Sequence, residues 1–271
     1  MSSARNSRRG RRNRGRFSTL FKLLAVIALG AAMTMGATVF FQLEQVVVSG
    51  NVRYTAQEVE EASGLLAGDN LFRLNKSGVS SDIREKLPYV EGVNIMRRLP
   101  NTIVITVDEC DAVAVVEPTR LPAEDEPEQE GMEPVLASEE SWLISIAGKL
   151  LETAGEDSQA IQVLGLSVLS PRAGTPLAVP QSQQEKLDVL KEVLRVLQER
   201  ESLERVSQID LTSNVQVLLR YDDRFWVKLP LVCDFSYKIN ALETVIAQRE
   251  PYEKGTMDLT REEYTVIFSP E

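Results

Sequence analysis

The sequence contains no histidine. That absence removes the Ser-His-Asp and Cys-His nucleophile arrangements, zinc sites built on imidazole, and the usual proton shuttle near neutral pH. Cysteine is scarce too: Cys110 and Cys233 stand too far apart for metal-ligand spacing. They can form one bridge if this part of the chain lies outside the cell, or pack as two buried thiols; the sequence leaves both readings open. No P-loop, Gly-rich phosphate loop or nucleophile motif is present. The adjacent acids Glu139-Glu140 and Asp222-Asp223 would point to opposite faces of a strand. A glycosidase instead needs carboxylates facing each other at about 5–9.5 Å. These absences predict a protein that is not an enzyme and has no metal, cofactor or small-molecule substrate.

Acids are missing from the first 43 residues. Met1 to Leu43 hold eight of the 30 cations (Arg5, Arg8, Arg9, Arg11, Arg12, Arg14, Arg16 and Lys22) and none of the 40 acids. The formal charge of -10 therefore joins a basic arm to a strongly acidic body, and the two should meet different surroundings. From Leu23 to Phe41 run 19 uncharged residues, a helical length of roughly 28 Å, close to the hydrocarbon thickness of a bilayer. All preceding cations lie on its N-terminal side, which places Met1 in the cytoplasm and the body outside. A cleaved secretory signal is the rival reading, kept alive by Gly30, Ala31 and Ala32. Its apolar region usually runs about 7–15 residues, whereas this one continues into Val39-Phe40-Phe41, which favours an uncleaved anchor. The arm has one aromatic, Phe17, and so no stacking platform for nucleic acid; anionic inner-leaflet lipid explains its charge more simply.

Outside the anchor, Val46-Val47-Val48 predicts a strand closed by Ser49-Gly50-Asn51. Thr55 and Glu58 predict a capping box, with Val59, Ala62 and Leu66 on one helical face. Val79, Ile83 and Leu87 mark a second helix stopped by Pro88. Val93 to Arg97 and Ile103 to Val107 predict two strands around a Leu99-Pro100-Asn101 turn, giving β-α-α-β-β, a two-layer α+β unit. From Glu117 to Glu140 acids and prolines dominate, which predicts a solvated insertion over 118–140.

Folded patterning then resumes. Trp142 to Ile146 and Lys149 to Leu151 predict a hairpin about Ala147-Gly148. Ile161 to Leu169 is an apolar run around Gly165. Ser182 and Glu185 predict a second capping box, opening a helix striped by Leu187, Leu190, Leu194 and Leu197 that packs on a sheet. Val206 to Leu211, Val215 to Leu219 and Phe225 to Leu229 read as strands, the last two joined at Asp222-Asp223. Phe235, Ile239, Leu242 and Ile246 mark a further helix, and Tyr264 to Ser269 a final strand.

The Val-rich strand ending in Gly50-Asn51, the capped helix and Gly68-Asp69-Asn70-Leu71-Phe72 resemble a POTRA domain. So do Leu87-Pro88-Tyr89-Val90 and Leu99-Pro100-Asn101-Thr102-Ile103. Gln208-Ile209-Asp210-Leu211, Lys238-Ile239-Asn240-Ala241-Leu242 and Met257-Asp258-Leu259 are similar to the β domain of the FtsQ/DivIB family of bacterial cell-division proteins. The chain departs from the family pattern at Cys110, where Arg is usual, and at Leu229-Pro230, where Leu-Gly is common.

The resemblance implies an α+β protein. It would have a basic cytoplasmic tail (1–22), a transmembrane helix (23–41), a POTRA domain (44–113) and a mostly antiparallel β domain with flanking helices (114–271). It implies a single-pass protein of the cell membrane at the division septum, binding DivIC/FtsB-like and FtsL-like partners. The implied partner-binding strand is Tyr264, Thr265, Val266, Ile267, Phe268 and Ser269, whose backbone would accept another chain if it lies at a sheet edge. A membrane-anchored POTRA protein of envelope transport is the rival function, and a carboxylate-based envelope hydrolase the more remote one.

Overall fold

The computed structural model describes residues 14–119, 138–155, 158–261 and 266–270. The basic arm before Arg14 and most of the acidic insertion lie outside them. Helix α1 (Arg14–Phe40) turns Leu20, Phe21, Leu23, Leu24, Ile27 and Leu29 outward. Taken over the described residues, no helix is long and apolar enough to cross a membrane.

A first unit follows in the expected order: β1 (Gln45–Ser49), α2 (Ala56–Ser63), α3 (Lys76–Lys86), β2 (Val90–Arg98) and β3 (Thr102–Glu109). The strands lie in the order β1-β3-β2, with β1 parallel and β2 antiparallel to β3. Thr55 and Glu58 form the reciprocal capping box of α2. Gly64 ends that helix, so Leu66 falls beyond its last turn and is exposed, not on the buried face expected for it. Ile103, Ile105 and Val107 alternate inward from β3 and meet Val59, Ala62, Ile83 and Leu87 from the two helices. The Glu109 carboxylate closes the unit by accepting the backbone N–H groups of Val52 (3.0 Å), Arg53 (2.6 Å) and Tyr54 (3.1 Å).

The second sheet has nine strands: β4 (Ala114–Val116), β5 (Trp142–Ile144), β6 (Leu150–Thr153), β7 (Ile161–Leu164), β8 (Val206–Asp210), β9 (Gln216–Tyr221), β10 (Phe225–Pro230), β11 (Gly255–Asp258) and β12 (Ile267–Pro270). Their order is β12-β11-β10-β9-β8-β7-β4-β5-β6. Five of its pairings are antiparallel and three parallel, in line with the mostly antiparallel expectation.

Helices α4 (Gln184–Glu199) and α5 (Phe235–Ile246) cover one face, and alternate residues of β9 and β10 bury against them in a single core. Leu187, Leu190, Leu194 and Leu197 all lie in this core, each worth roughly 1.5–3 kcal/mol of burial. The N-cap position of α4 is Gln183 rather than the expected Ser182, and its side chain makes no cap bond. A 3-10 turn, Gln181–Gln183, leads into α4 instead. The buried Gln183 side chain accepts from Ser167 N (2.7 Å) and donates to Ser167 Oγ (3.1 Å), so the entry is held by a core contact rather than a local cap. Asp222 and Asp223 make the tight β9–β10 turn with φ of 50° and 53°, a left-handed conformation that Asp tolerates better than most residues.

The two units meet at Tyr89 and Lys149. Tyr89 OH donates to Glu152 (2.5 Å), Tyr89 O accepts Cys110 N (2.8 Å), and the Arg53 guanidinium lies 3.6 Å from the centre of its ring. Burial and the Glu152 carboxylate push the Tyr89 hydroxyl up to about 12, so it stays a donor. Lys149 Nζ donates to the carbonyls of Arg84 (2.9 Å) and Val90 (2.7 Å). A Cβ at Gly174 would stand 2.6 Å from the Glu85 carbonyl, and only glycine lets the chains approach this closely. Both cysteines are free and half-buried, and burial pushes Cys233 up to about 11.

β4 and β5 are antiparallel neighbours, with Val116 opposite Trp142. The acidic segment between them is therefore a hairpin connection whose ends are held together. Ser138, Ser141 and Glu117 belong to its packed base: Ser138 N donates to Val168 O (2.8 Å) and Ser141 Oγ to Glu117 (2.7 Å). Replacing residues 120–137 by a short Gly/Ser turn should leave the melting temperature nearly unchanged. A large drop would show that the segment packs. For Glu109, burial acts to raise the carboxyl, but the donors from Arg53, Tyr54 and Val52 outweigh it and the net shift is downward. A carboxyl depressed in the folded state stabilises above its unfolded value, about 4.3, and that contribution is lost as pH falls through the folded value. Glu109→Gln should lower the melting temperature at pH 7 and lower it less in acid; equal losses at both would refute the assignment.

Candidate partner-binding edge

β12 is the last strand of the nine and, among the described residues, pairs only with β11. Its register sets Ile267 opposite Asp258, Phe268 opposite Met257, Ser269 opposite Thr256 and Pro270 opposite Gly255. Val266 and Phe268 pack on the core. The intervening Ile267 and Ser269 point to the other face, the alternation a pleated strand requires. Of the six expected site residues, Val266 to Ser269 are described; Tyr264 and Thr265 lie outside the described residues. Among the described residues the strand runs Ile267–Pro270, so it starts after Val266 and reaches one residue past the expected Ser269.

Three residues to which sequence reasoning gave no role hold this edge. Gly255 has φ of 154°, and a Cβ there would lie 2.3 Å from Ser269 O, so β12 can approach β11 only over a glycine. Lys238 on α5 is almost fully buried, and its ammonium donates to the carbonyls of Leu259 (2.9 Å) and Arg261 (2.6 Å). It thereby fixes the chain as it leaves β11. The Arg249 guanidinium lies 4.5 Å from the centre of the Phe268 ring, whose edge meets Phe225 at 6.2 Å between centroids. Gly255 gave a visible signal, a lone glycine before an apolar-patterned stretch. The roles of Lys238 and Arg249 depend on tertiary placement.

The opposite end of the sheet is different. β6 is overlaid by the segment around Gly174 to Leu177: Leu150 N donates to Thr175 O and Gly174 N to Leu150 O, both at 2.8 Å. β2, an edge of the first sheet, carries Glu91, Arg97 and Arg98, charges that discourage another strand from pairing. β12 carries no charge. β1, the remaining edge, is likewise uncharged. A cleft of about 920 Å³ between the two units is lined by Glu91, Glu109, Asp111, Glu204 and Asp223 among others. Among the described residues no group of His, Cys, Asp or Glu could hold a metal ion.

The first unit, with two helices on one face of a β1-β3-β2 sheet, is a POTRA domain: residues 41–109 match the family model of the FtsQ-type POTRA domain. Over most of its length the chain is similar to cell-division proteins named DivIB, and over about a third of it to cell-division proteins named FtsQ. The cell division protein DivIB of Clostridium acetobutylicum is 25% identical over 224 residues, covering 82% of this chain and 80% of that protein. The cell division protein DivIB of Clostridium botulinum is 23% identical over 233 residues, covering 84% of this chain and 82% of that protein. The cell division protein FtsQ of Streptomyces collinus is 32% identical over 97 residues, about a third of each chain.

Gly255→Ala should detach β12 from β11, because the new methyl group meets a main-chain oxygen that cannot rotate away. The expected cost is about 1–3 kcal/mol, and amide exchange should rise in residues 266–270 while β8 and β9 stay protected. Unchanged exchange in β12 would show that the strand does not depend on this glycine.

Proposed function

We propose that this protein is a membrane-anchored scaffold of the bacterial division machinery that works by binding rather than catalysis. In this reading residues 1–22 lie in the cytoplasm and 23–41 cross the membrane. Residues 44–113 form the POTRA domain, and 114–271 a partner-binding β domain outside the cell at the septum. The division role is supported by relatives that carry that name along four fifths of the chain. The anchor is supported by the 19 uncharged residues, the cations confined before them, and the outward-facing leucines of α1.

One observation carries the binding mechanism: β12 is an uncharged strand at a sheet end, held in place from beneath by Phe225, Met257 and Arg249. A partner of the DivIC/FtsB kind, accompanied by an FtsL-like protein, would add a strand along it. Main-chain bonds would supply affinity, and the alternate side chains Ile267 and Ser269 selectivity. Residues 264–269 remain the proposed site. Envelope transport is the competing function, and partners recovered from solubilised membranes separate the two.

Consecutive N–H groups along a strand point to its two opposite edges, so one of Val266 and Ile267 aims its donor outward. Proline at that position removes a ladder donor that alanine keeps. Val266→Pro and Ile267→Pro, compared with the alanine variants, should identify the outward position by a loss of partner binding of at least tenfold, about 1.4 kcal/mol. Circular dichroism and melting must match wild type. Two folded proline variants that bind normally would rule out β12 and leave β1, the other uncharged edge, as the strand to test.

A further inference from the structure

The end of the POTRA domain nearest α1 has its surface chemistry reversed. Two separate loops are fastened to the four residues between the helix and β1, Phe41 to Glu44. Loop 66–73 is held by Leu71 N to Phe41 O (3.0 Å), Leu43 N to Asp69 O (2.8 Å) and Gly68 N to Leu43 O (2.8 Å), with a bridge between Gln42 and Asn70. The β2–β3 turn is held by Glu44 N to Asn101 O (2.9 Å) and Asn101 Nδ2 to Glu44 (2.6 Å). A loop facing water ordinarily turns its polar side chains out. Here Asp69 accepts Leu66 N (2.9 Å) and Asn70 accepts Phe72 N (3.0 Å), so the polar groups serve the backbone. Leu66, Phe72 and Leu99 are left outward, 69%, 55% and 53% exposed. Phe72 also meets Phe41 edge-on, with centroids 4.9 Å apart, continuing the aromatic end of α1. Arg73 and Arg98 stand exposed beside these residues.

We propose that Leu66, Phe72 and Leu99 rest in the headgroup–acyl boundary of the outer leaflet, with Arg73 and Arg98 at the lipid phosphates. The POTRA domain would then be seated on the bilayer rather than tethered above it. Apolar side chains rimmed by cations, held by main-chain bonds within a few residues of a membrane helix, fit a lipid surface by position and chemistry. The inference rests on the proposed anchor.

The test uses the full chain reconstituted in lipid vesicles, with Phe72→Trp and Leu66→Trp made separately because Phe72 also touches Phe41. Emission above that of wild type is compared between ordinary lipid and lipid brominated near the headgroup end of its acyl chains. Each added tryptophan should be quenched roughly twofold or more, as expected for insertion to about 5–10 Å. Gln57→Trp, on the exposed side of α2, should not be. Protein that floats with the vesicles but shows no quenching at positions 66 and 72 would overturn the seating alone. Equal quenching at position 57 would overturn it too, since no particular end would then face lipid. Failure to float would overturn the anchor and the seating together.

Discussion

The second unit depends on the pairing of strands that run in the same direction. A parallel neighbour cannot be reached by a tight turn; the chain must cross from one end of the sheet to the other before pairing again. Twice the crossing is made by a helix: α4 lies between β7 and β8, and α5 between β10 and β11. Both helices reach the same face, touch each other, and share one apolar core. The last crossing also fixes the end of the sheet. Once β11 has settled alongside β10, the returning β12 can only add outside it, and among the described residues the sheet stops there.

This topology explains how an edge can be open and yet well ordered. Most sheet ends are blunted by charge, by irregular chain or by short length. β6 is covered by a neighbouring segment and β2 is guarded by charges, whereas β12 has its inner face committed and its outer rim left unoccupied among the described residues. Phe268 provides the commitment, with Phe225 at its edge and the Arg249 guanidinium over its face. A strand held this way keeps its backbone extended before any partner arrives, so little ordering entropy remains to be lost on pairing.

Much of this was legible in the sequence because period and punctuation agreed. The order of the first unit followed from the Thr55–Glu58 cap, Pro88 and the alternation of Ile103, Ile105 and Val107. The α4 stripe and the Asp222-Asp223 turn were equally plain. Local signals failed where tertiary contacts took over. Ser182 and Glu185 spell a cap, yet the core bond from Gln183 to Ser167 sets the entry of α4. Leu66 fits the α2 periodicity but lies past Gly64. Ala114 to Val116 is buried on both faces and shows no alternation, so β4 could not be told from loop. The edge position of β12 was an expectation drawn from its being the last β-prone run, and its partner-binding use one drawn from resemblance; the residues that secure it, Gly255 and Lys238, act through contacts far away in sequence.

The joint between the two units has an asymmetry of its own. On the POTRA side the groups met at Arg84, Glu85 and Val90 are main-chain carbonyls, which every amino acid presents alike: two accept from Lys149, and that of Glu85 lies against Gly174. On the other side stand Lys149, whose ammonium must reach two of those oxygens, and Gly174, which must have no side chain at all. Drift in residues 84–86 and 90 thus costs the joint little, while the facing hairpin and loop are constrained. Apart from Tyr89, whose hydroxyl must reach Glu152, the POTRA surface there is free to diversify with its surroundings, and the angle at which the second sheet is carried can be inherited unchanged.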